Sequence, residues 1–341
     1  MDFGILWIRL ETRTTLTNFG KITQLHGRCG MNRKILVTGG NGFIGSHVVR
    51  KLLAQGYNPI LLIRNSSDMW RLNDIINKVS TFNIDEKSLN EVFKGENLGG
   101  VINLVTYYKK HNSFEEIAKM VDSNITFPSQ LLQLCKDNNV PIFITAGSYF
   151  QYGINFFLST SESPIPRDFY AATKSAFSKI MDFYSSSSSL NVVELILFTP
   201  YGEKDHNEKL IPYLIRNTLT DQSVNLTGGF QKLNLVYVED VASAFVNALN
   251  THIEENKSVH LNVANAISYS IRDIITVMED ILQKHINVNW DSFTASEMDK
   301  DYMLVVDTKM TEMILKWKPQ YDLYEGLKRT IEYYRGVVDN Y

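Results

Sequence analysis

The stretch Thr38-Gly39-Gly40-Asn41-Gly42-Phe43-Ile44-Gly45 stands between an apolar run at 34–38 and a helical repeat of Val48, Val49, Leu52 and Leu53 that stops at Gly56. Glycines at the spacing TGxxGxxG, with a strand before and a helix after, leave this chain few folds. Gly39 permits a tight turn, Gly42 lets backbone approach a diphosphate, and Gly45 lets the helix pack on the strand. The helix N-terminal amides, with Phe43 and Ile44 in the first turn, attract phosphate charge. The motif predicts a dinucleotide site at the start of a βαβ series.

Further apolar runs follow at 58–63, 79–84, 101–105, 141–145 and 191–198, alternating with helical patterns. That alternation implies an α/β fold, a Rossmann-type doubly wound parallel sheet covered on both faces. Past Gly202 the pattern loosens, although Ser270 and Asp273 form a capping box ahead of a helix at 271–282. The serine run 185–189 falls where a helix-to-strand loop is due. We therefore divide the chain into an extension at 1–30, a dinucleotide-binding domain at 31–202 that carries the reactive residues, and a smaller α/β substrate lobe at 203–341. Some segments of that lobe are free to return to the first domain. Residues 1–30 have no regular period and no signal-peptide pattern, so Met31 reads as the working start and the extension as dispensable.

The formal net charge is −3 and long basic runs are absent, which argues against a grip on nucleic acid or an anionic membrane. No apolar run approaches the roughly 20 residues that span a bilayer. Two cysteines, Cys29 and Cys135, make neither a disulfide framework nor a zinc site, and no histidine pair has metal-ligand spacing. A reducing, cytoplasmic setting without a metal fits this composition.

The second run ends Leu61-Leu62-Ile63-Arg64-Asn65-Ser66-Ser67, where an NAD site carries an acid for the adenosine ribose. A guanidinium takes a phosphate bidentately whereas an acid repels it, so Arg64 favours NADP(H), with NAD(H) the alternative. Further on, Tyr170 and Lys174 stand four apart and share a helical face. A nearby ammonium is expected to lower the tyrosine pKa and make Tyr170 a proton donor or acceptor near neutral pH. Ser148 follows the fifth run, and ligands bind at the carboxyl ends of parallel strands.

At these residues the chain resembles the extended short-chain dehydrogenase/reductases of the NAD-dependent epimerase/dehydratase family, which act on nucleotide sugars. The resemblance runs from Met31 to about Gly336. Its marks are the glycine loop, Asn83-Ile84 where an Asp-Ile pair usually meets adenine, Leu104, Asn124, the set Ser148, Tyr170 and Lys174, and Lys209-Leu210-Ile211-Pro212. Tyr237-Val238-Glu239-Asp240-Val241 and Trp317-Lys318-Pro319 are further landmarks. It implies cofactor contacts from Gly39, Gly42, Phe43, Ile44, Gly45, Arg64, Asn83, Ile84, Leu104, Asn124, Tyr170 and Lys174, and catalysis by Ser148, Tyr170 and Lys174. It also implies a homodimer through the helix bearing Tyr170 and its neighbour.

In the family's dehydratases an acid pair directly follows the serine-type hydroxyl; here those positions are Tyr149 and Phe150, which do no acid-base work at neutral pH. The decarboxylases resemble a pattern with Glu at the Phe150 position, and the fucose-synthase-like epimerase-reductases one with Cys. The two aromatics read either as an apolar wall for a deoxygenated sugar or as core packing. What remains is hydride chemistry without elimination. The segments 103–108, 123–128 and 146–150 are similar to the CDP-abequose synthase-like branch, which implies NADPH-dependent reduction at C4 of a nucleotide-linked 4-keto-6-deoxy sugar. An NAD-dependent 4-epimerase is the alternative, and a non-catalytic NADP-binding protein a third reading. A family arginine that clamps the substrate diphosphate is replaced by Leu233, and a second falls near Met298. Lys209, Lys232 and Lys300 are the candidate substitutes, with Tyr149, Phe150 and Thr199 as further substrate contacts.

Overall fold

Runs of branched apolar residues that are buried without alternation, such as Ile35, Leu36 and Val37, need cover on both faces, and a parallel sheet supplies it. The computed structural model describes residues 33–109, 112–153, 157–158, 166–251, 253, 258–293 and 305–338. The expectations for residues 1–30, Met31, Met298 and Lys300 lie outside them. Lys34–Thr38 (β1), Asn58–Ile63 (β2), Ser80–Asn83 (β3), Leu98–Asn103 (β4), Ile142–Ser148 (β5), Asn191–Leu197 (β6) and Ser258–Val263 (β7) form one seven-stranded sheet, ordered β7-β6-β5-β4-β1-β2-β3. Every pairing in it is parallel. The fold is therefore the Rossmann-type doubly wound sheet anticipated above.

The helices are Phe43–Ala54 (α1), Leu89–Gly95 (α2), Phe114–Val121 (α3), Phe127–Asp137 (α4), Phe169–Ser186 (α5), Leu210–Leu219 (α6), Val238–Ala248 (α7), Ile271–Leu282 (α8), Lys309–Leu315 (α9) and Leu323–Val338 (α10). On one face of the sheet Val48, Val49 and Leu52 of α1 and Phe245 of α7 pack with Val37, Ile102 and Ile144. On the other, Leu131 and Leu132 of α4 and Phe177 and Met181 of α5 pack with Leu36, Val101 and Phe143. A third cluster joins α6, α8 and α10 to Tyr201, Leu235 and Tyr237 beside the sheet's carboxyl edge. No helix among the described residues is long and apolar enough to cross a membrane.

Several local expectations are met in detail. Gly56, with φ of 79°, ends α1, and the Ser270/Asp273 capping box starts α8. Two boundaries move furthest: β4 begins at Leu98, ahead of the run at 101–105, and β5 continues past 145, so Ser148 is the strand's last residue. The serine run is only partly loop, because α5 extends through Ser186 and Ser185 is fully buried. The landmark Asp240 has a structural role: its carboxylate accepts from the amides of Gln320 and Tyr321 at 2.9 and 3.1 Å, while Trp317 Nε1 donates to its carbonyl.

Candidate active site

Strand order reverses between β1 and β4, and the loops leaving their carboxyl ends part there to make a crevice. Gly39, at φ of 66°, turns the chain out of β1, and a Cβ on it would lie 2.8 Å from the Leu104 carbonyl carbon. Glycine is required there by both conformation and space. From this point a cleft of about 1430 Å³ runs across the sheet edge. Its walls include Gly39, Gly42, Phe43, Ile44, Gly45, Leu104, Ser148, Tyr149, Phe150, Tyr170, Lys174, Thr199 and Lys209. The glycine loop and the candidate reactive residues thus share one continuous surface.

Ser148 ends β5 and caps the short 3-10 turn Tyr149–Tyr152, its amide donating to Gln151 Oε1 at 2.7 Å. Tyr170 and Lys174 lie in the first two turns of α5, whose N-terminus is capped by Asp168 through the Ala171 amide at 2.8 Å. Desolvation raises the Tyr170 pKa against smaller downward contributions from the Thr106 and Ser148 hydroxyls. That reverses the lowered value expected from Lys174. The ammonium lies 5.9 Å from the phenol ring centroid and donates instead to the Ala146 carbonyl at 2.9 Å. Burial lowers the Lys174 pKa to about 8 against an upward pull from Glu194.

The two aromatics that follow Ser148 are held by packing against their neighbours. Tyr149 stacks on Phe198 at 5.2 Å, while Phe150 lies beneath the Arg167 guanidinium, 3.2 Å from its centroid. Both also line the cleft. Lys209 reaches over Tyr108, 5.8 Å from its centroid, and Tyr108 packs edge-on against Tyr170.

Other expected contacts fall away from the cleft wall. Arg64 is exposed beside it, with its amide bonded to Ser67 Oγ at 2.9 Å. Asn83 donates to Asn65 Oδ1 and Glu86 Oε1, and Ile84 donates its amide to the Ile63 carbonyl. Lys232 sits on a short strand whose next residue, Leu233, is the one that lines the cleft. Asn124 is buried and acts as a brace. It accepts from the Tyr107 amide at 2.8 Å and from Thr106 Oγ1, and donates to the Tyr107 carbonyl and Thr173 Oγ1. It holds the loop after β4 against α5 and reaches Tyr170 through Thr173, whose Oγ1 donates to the Tyr170 carbonyl at 2.7 Å.

Sequence reasoning missed two features. One is Arg71, buried at the cleft with Asp68, Trp70, Lys204 and Asp205, whose Nε donates to the Lys204 carbonyl at 2.8 Å. Burial raises the Asp205 carboxyl to about 6. The other is a charged network beneath Ser148. Glu194 on β6 is 2% exposed, and His260 on β7 places Nδ1 2.6 Å from it and Nε2 3.1 Å from Asp182 on α5. Two carboxylates on the two ring nitrogens require a doubly protonated imidazole. Burial pushes His260 down, but its hydrogen bonds to Asp182 and Glu194 prevail and raise it from 6.5 to about 10.

Because the folded pKa lies above the ordinary one, this contribution to stability is complete below pH 6.5 and is lost as pH rises through about 10. Thermal melts from pH 7 to 10.5 should therefore show a steeper decline for the wild type than for His260→Gln. Parallel curves would contradict the charged assignment.

A family model described as NAD dependent epimerase/dehydratase family matches residues 35–264. CDP-abequose synthase of Salmonella muenchen is 22% identical over 304 residues, 88% of this chain and 98% of that protein. UDP-glucose 4-epimerase of Lactobacillus helveticus is 26% identical over 309 residues, 85% of this chain and 93% of that protein. The solved structure of UDP-glucuronic acid 4-epimerase from Bacillus cereus, in complex with UDP-glucuronic acid and NAD, is similar in fold. Its TM-score is 0.77 at 24% identity, over 89% of this chain and 99% of that one.

Proposed function

Since the chain belongs to the NAD dependent epimerase/dehydratase family, we propose that it reduces the C4 keto group of a nucleotide-linked 4-keto-6-deoxy sugar with NADPH. The observation that carries this reading is the convergence of Ser148, Tyr170 and Lys174 on the cleft that begins at the glycine loop, with Tyr149 and Phe150 where a dehydratase has acids. The likeness to CDP-abequose synthase points the same way.

The glycine loop fits a dinucleotide diphosphate. A Cβ at Gly45 would lie 2.0 Å from the Gly39 carbonyl oxygen, and one at Gly42 would lie 3.2 Å from it, so only glycines leave the α1 N-terminus this close to the turn. Bound NADPH would supply the hydride. Tyr170 gives its hydroxyl proton to the carbonyl oxygen, Ser148 Oγ orients that oxygen, and Lys174 provides positive charge behind the phenol. Tyr149 and Phe150 offer the deoxygenated carbon an apolar face. Lys209 and Arg71 are the cations on the cleft wall that take over from the arginine replaced by Leu233.

Arg64 is the basis for NADP(H) over NAD(H). An NAD-dependent 4-epimerase remains the second reading, favoured by Asp85, whose carboxylate accepts from the Asn65 amide at 2.8 Å and sets negative charge beside Arg64. Titration of the purified, cofactor-stripped protein separates the two. Arg64→Ala is expected to reduce the NADPH to NADH affinity ratio by about 10-fold, one charge-assisted phosphate contact. An unchanged ratio, or NAD that co-purifies tightly, would favour the epimerase.

The domain division at 202, the cytoplasmic setting and the homodimer belong to this proposal as well. The distinct hydrophobic cluster of α6, α8 and α10 supports a substrate lobe. A second copy docked on α3 and α5 would cover the exposed Phe114, Ile117 and Phe183. Light scattering at micromolar concentration tests that dimer, and Phe183→Glu should shift it to monomer.

A further inference from the structure

Gly147 precedes Ser148 for a reason that lies under the site. A Cβ at Gly147 would meet Glu194 Oε1 at 2.7 Å and Gln151 Oε1 at 3.0 Å, so the Glu194 carboxylate is pressed directly against the end of β5. From β6 it touches several groups of the site at once. Ser178 Oγ lies 2.9 and 2.8 Å from its two oxygens, Gln151 Nε2 lies 3.4 Å from Oε1, and His260 Nδ1 lies 2.6 Å from Oε2. The same Gln151 accepts the Ser148 amide, and Ser178 Oγ also bonds the Lys174 carbonyl at 3.1 Å. Glu194 is therefore one step from Ser148 on one side and one step from Lys174 on the other.

A carboxylate this buried stays ionised only with a countercharge and filled lone pairs. His260, held from behind by Asp182, is that countercharge, and Asp182 is in turn paired with the exposed Lys179 at 3.3 Å. The groups facing the Lys174 ammonium are the Ala146 carbonyl on β5, the Tyr170 ring on its own helix and Glu194 on β6. Among these, Glu194 alone brings negative charge.

We propose that Glu194 is a positioning residue for the site: through Gln151 it fixes the turn that carries Ser148, and its charge, secured by the His260–Asp182 pair, keeps the buried Lys174 ammonium protonated. The inference rests on the reading of Ser148, Tyr170 and Lys174 as the reacting residues. No hydride or proton passes through Glu194, and it touches neither substrate nor cofactor.

The test reads the lysine proton directly. Protein labelled with 13C-lysine is titrated by NMR, and the Lys174 Cε signal is assigned by its loss in Lys174→Arg. In Glu194→Gln, which keeps shape and removes charge, the Lys174 midpoint should fall by about one pH unit or more. Glu194→Asp should restore part of the shift. A folded Glu194→Gln protein with the wild-type midpoint overturns the inference. Should that variant not fold, His260→Gln serves in its place: it strips the countercharge on which the Glu194 charge is proposed to depend, and the midpoint again falls, while an unmoved midpoint overturns the inference equally. Turnover plays no part in this measurement. Loss of the proposed reductase reading would be seen instead as full activity in Lys174→Met, whatever the titration shows.

Discussion

Tyr170→Phe is expected to lower turnover of a 4-keto-6-deoxy nucleotide sugar by roughly 10² to 10⁴, the usual worth of a positioned general acid. The ring stays where it is, because its edge-on packing against Tyr108 at 5.1 Å does not involve the hydroxyl. Affinity for NADPH should accordingly change little. After the substitution Thr106 keeps its bond to Asn124 and Ser148 keeps the Phe150 amide, so folding is expected to be preserved. Steady-state kinetics beside a binding titration decides the matter: turnover within about tenfold of wild type would remove Tyr170 from the role of acid. The same enzyme should show a characteristic pH profile. Desolvation keeps the phenol protonated through neutral pH, as an acid requires, while Lys174 loses its charge above about 8. Reduction should thus be level near neutrality and decline above pH 8, and a decline that begins instead on the acid side would point to a different ionising group.

These residues also mark where a sequence stops being informative. The glycine loop, β1, β2, α1 and α8 are local features, set by spacing, capping and buried runs, and all were readable with their boundaries. Tyr170 and Lys174 were readable as a pair because four residues on a helix share a face. Their protonation was not, because spacing says nothing of desolvation, and it is burial that raises Tyr170 and turns the Lys174 ammonium toward Ala146. The bracing bonds of Asn124 were not readable for a similar reason: an amide has two donors and two lone pairs, and only the path of the loop after β4 determines which groups fill them. Glu194 is a polar residue inside the apolar run 191–198, and spacing alone gives it no role. It gained meaning only when β7, whose run is interrupted by His260 and Asn262, took the position beside β6 and brought an imidazolium onto it.

Gly45→Ala should abolish dinucleotide binding more completely than any side-chain change at the cleft. The added Cβ would lie 2.0 Å from the Gly39 oxygen and 2.8 Å from both the Gly39 carbonyl carbon and the Gly40 Cα. All three are backbone atoms, so no rotamer change relieves the clash. Either α1 or the turn must move, and the Gly42 amide, which donates to Gly39 at 3.0 Å, moves with it. Overpacking of this kind costs about 1 to 3 kcal/mol of stability. Losing two amide bonds to the diphosphate, at about 1.5 to 3 kcal/mol each, weakens NADPH and NADH alike by roughly 100-fold or more. Gly42→Ala, whose Cβ meets only the Gly39 oxygen at 3.2 Å, should be milder, and Gly95→Ala, with nothing within 4 Å, serves as the unaffected control. Calorimetric titration with both dinucleotides, alongside thermal melts, gives the comparison. Near wild-type affinity in a folded Gly45→Ala protein would mean that the glycine cradle does not hold the diphosphate, and the assignment of Ser148, Tyr170 and Lys174 to hydride chemistry would lose its premise.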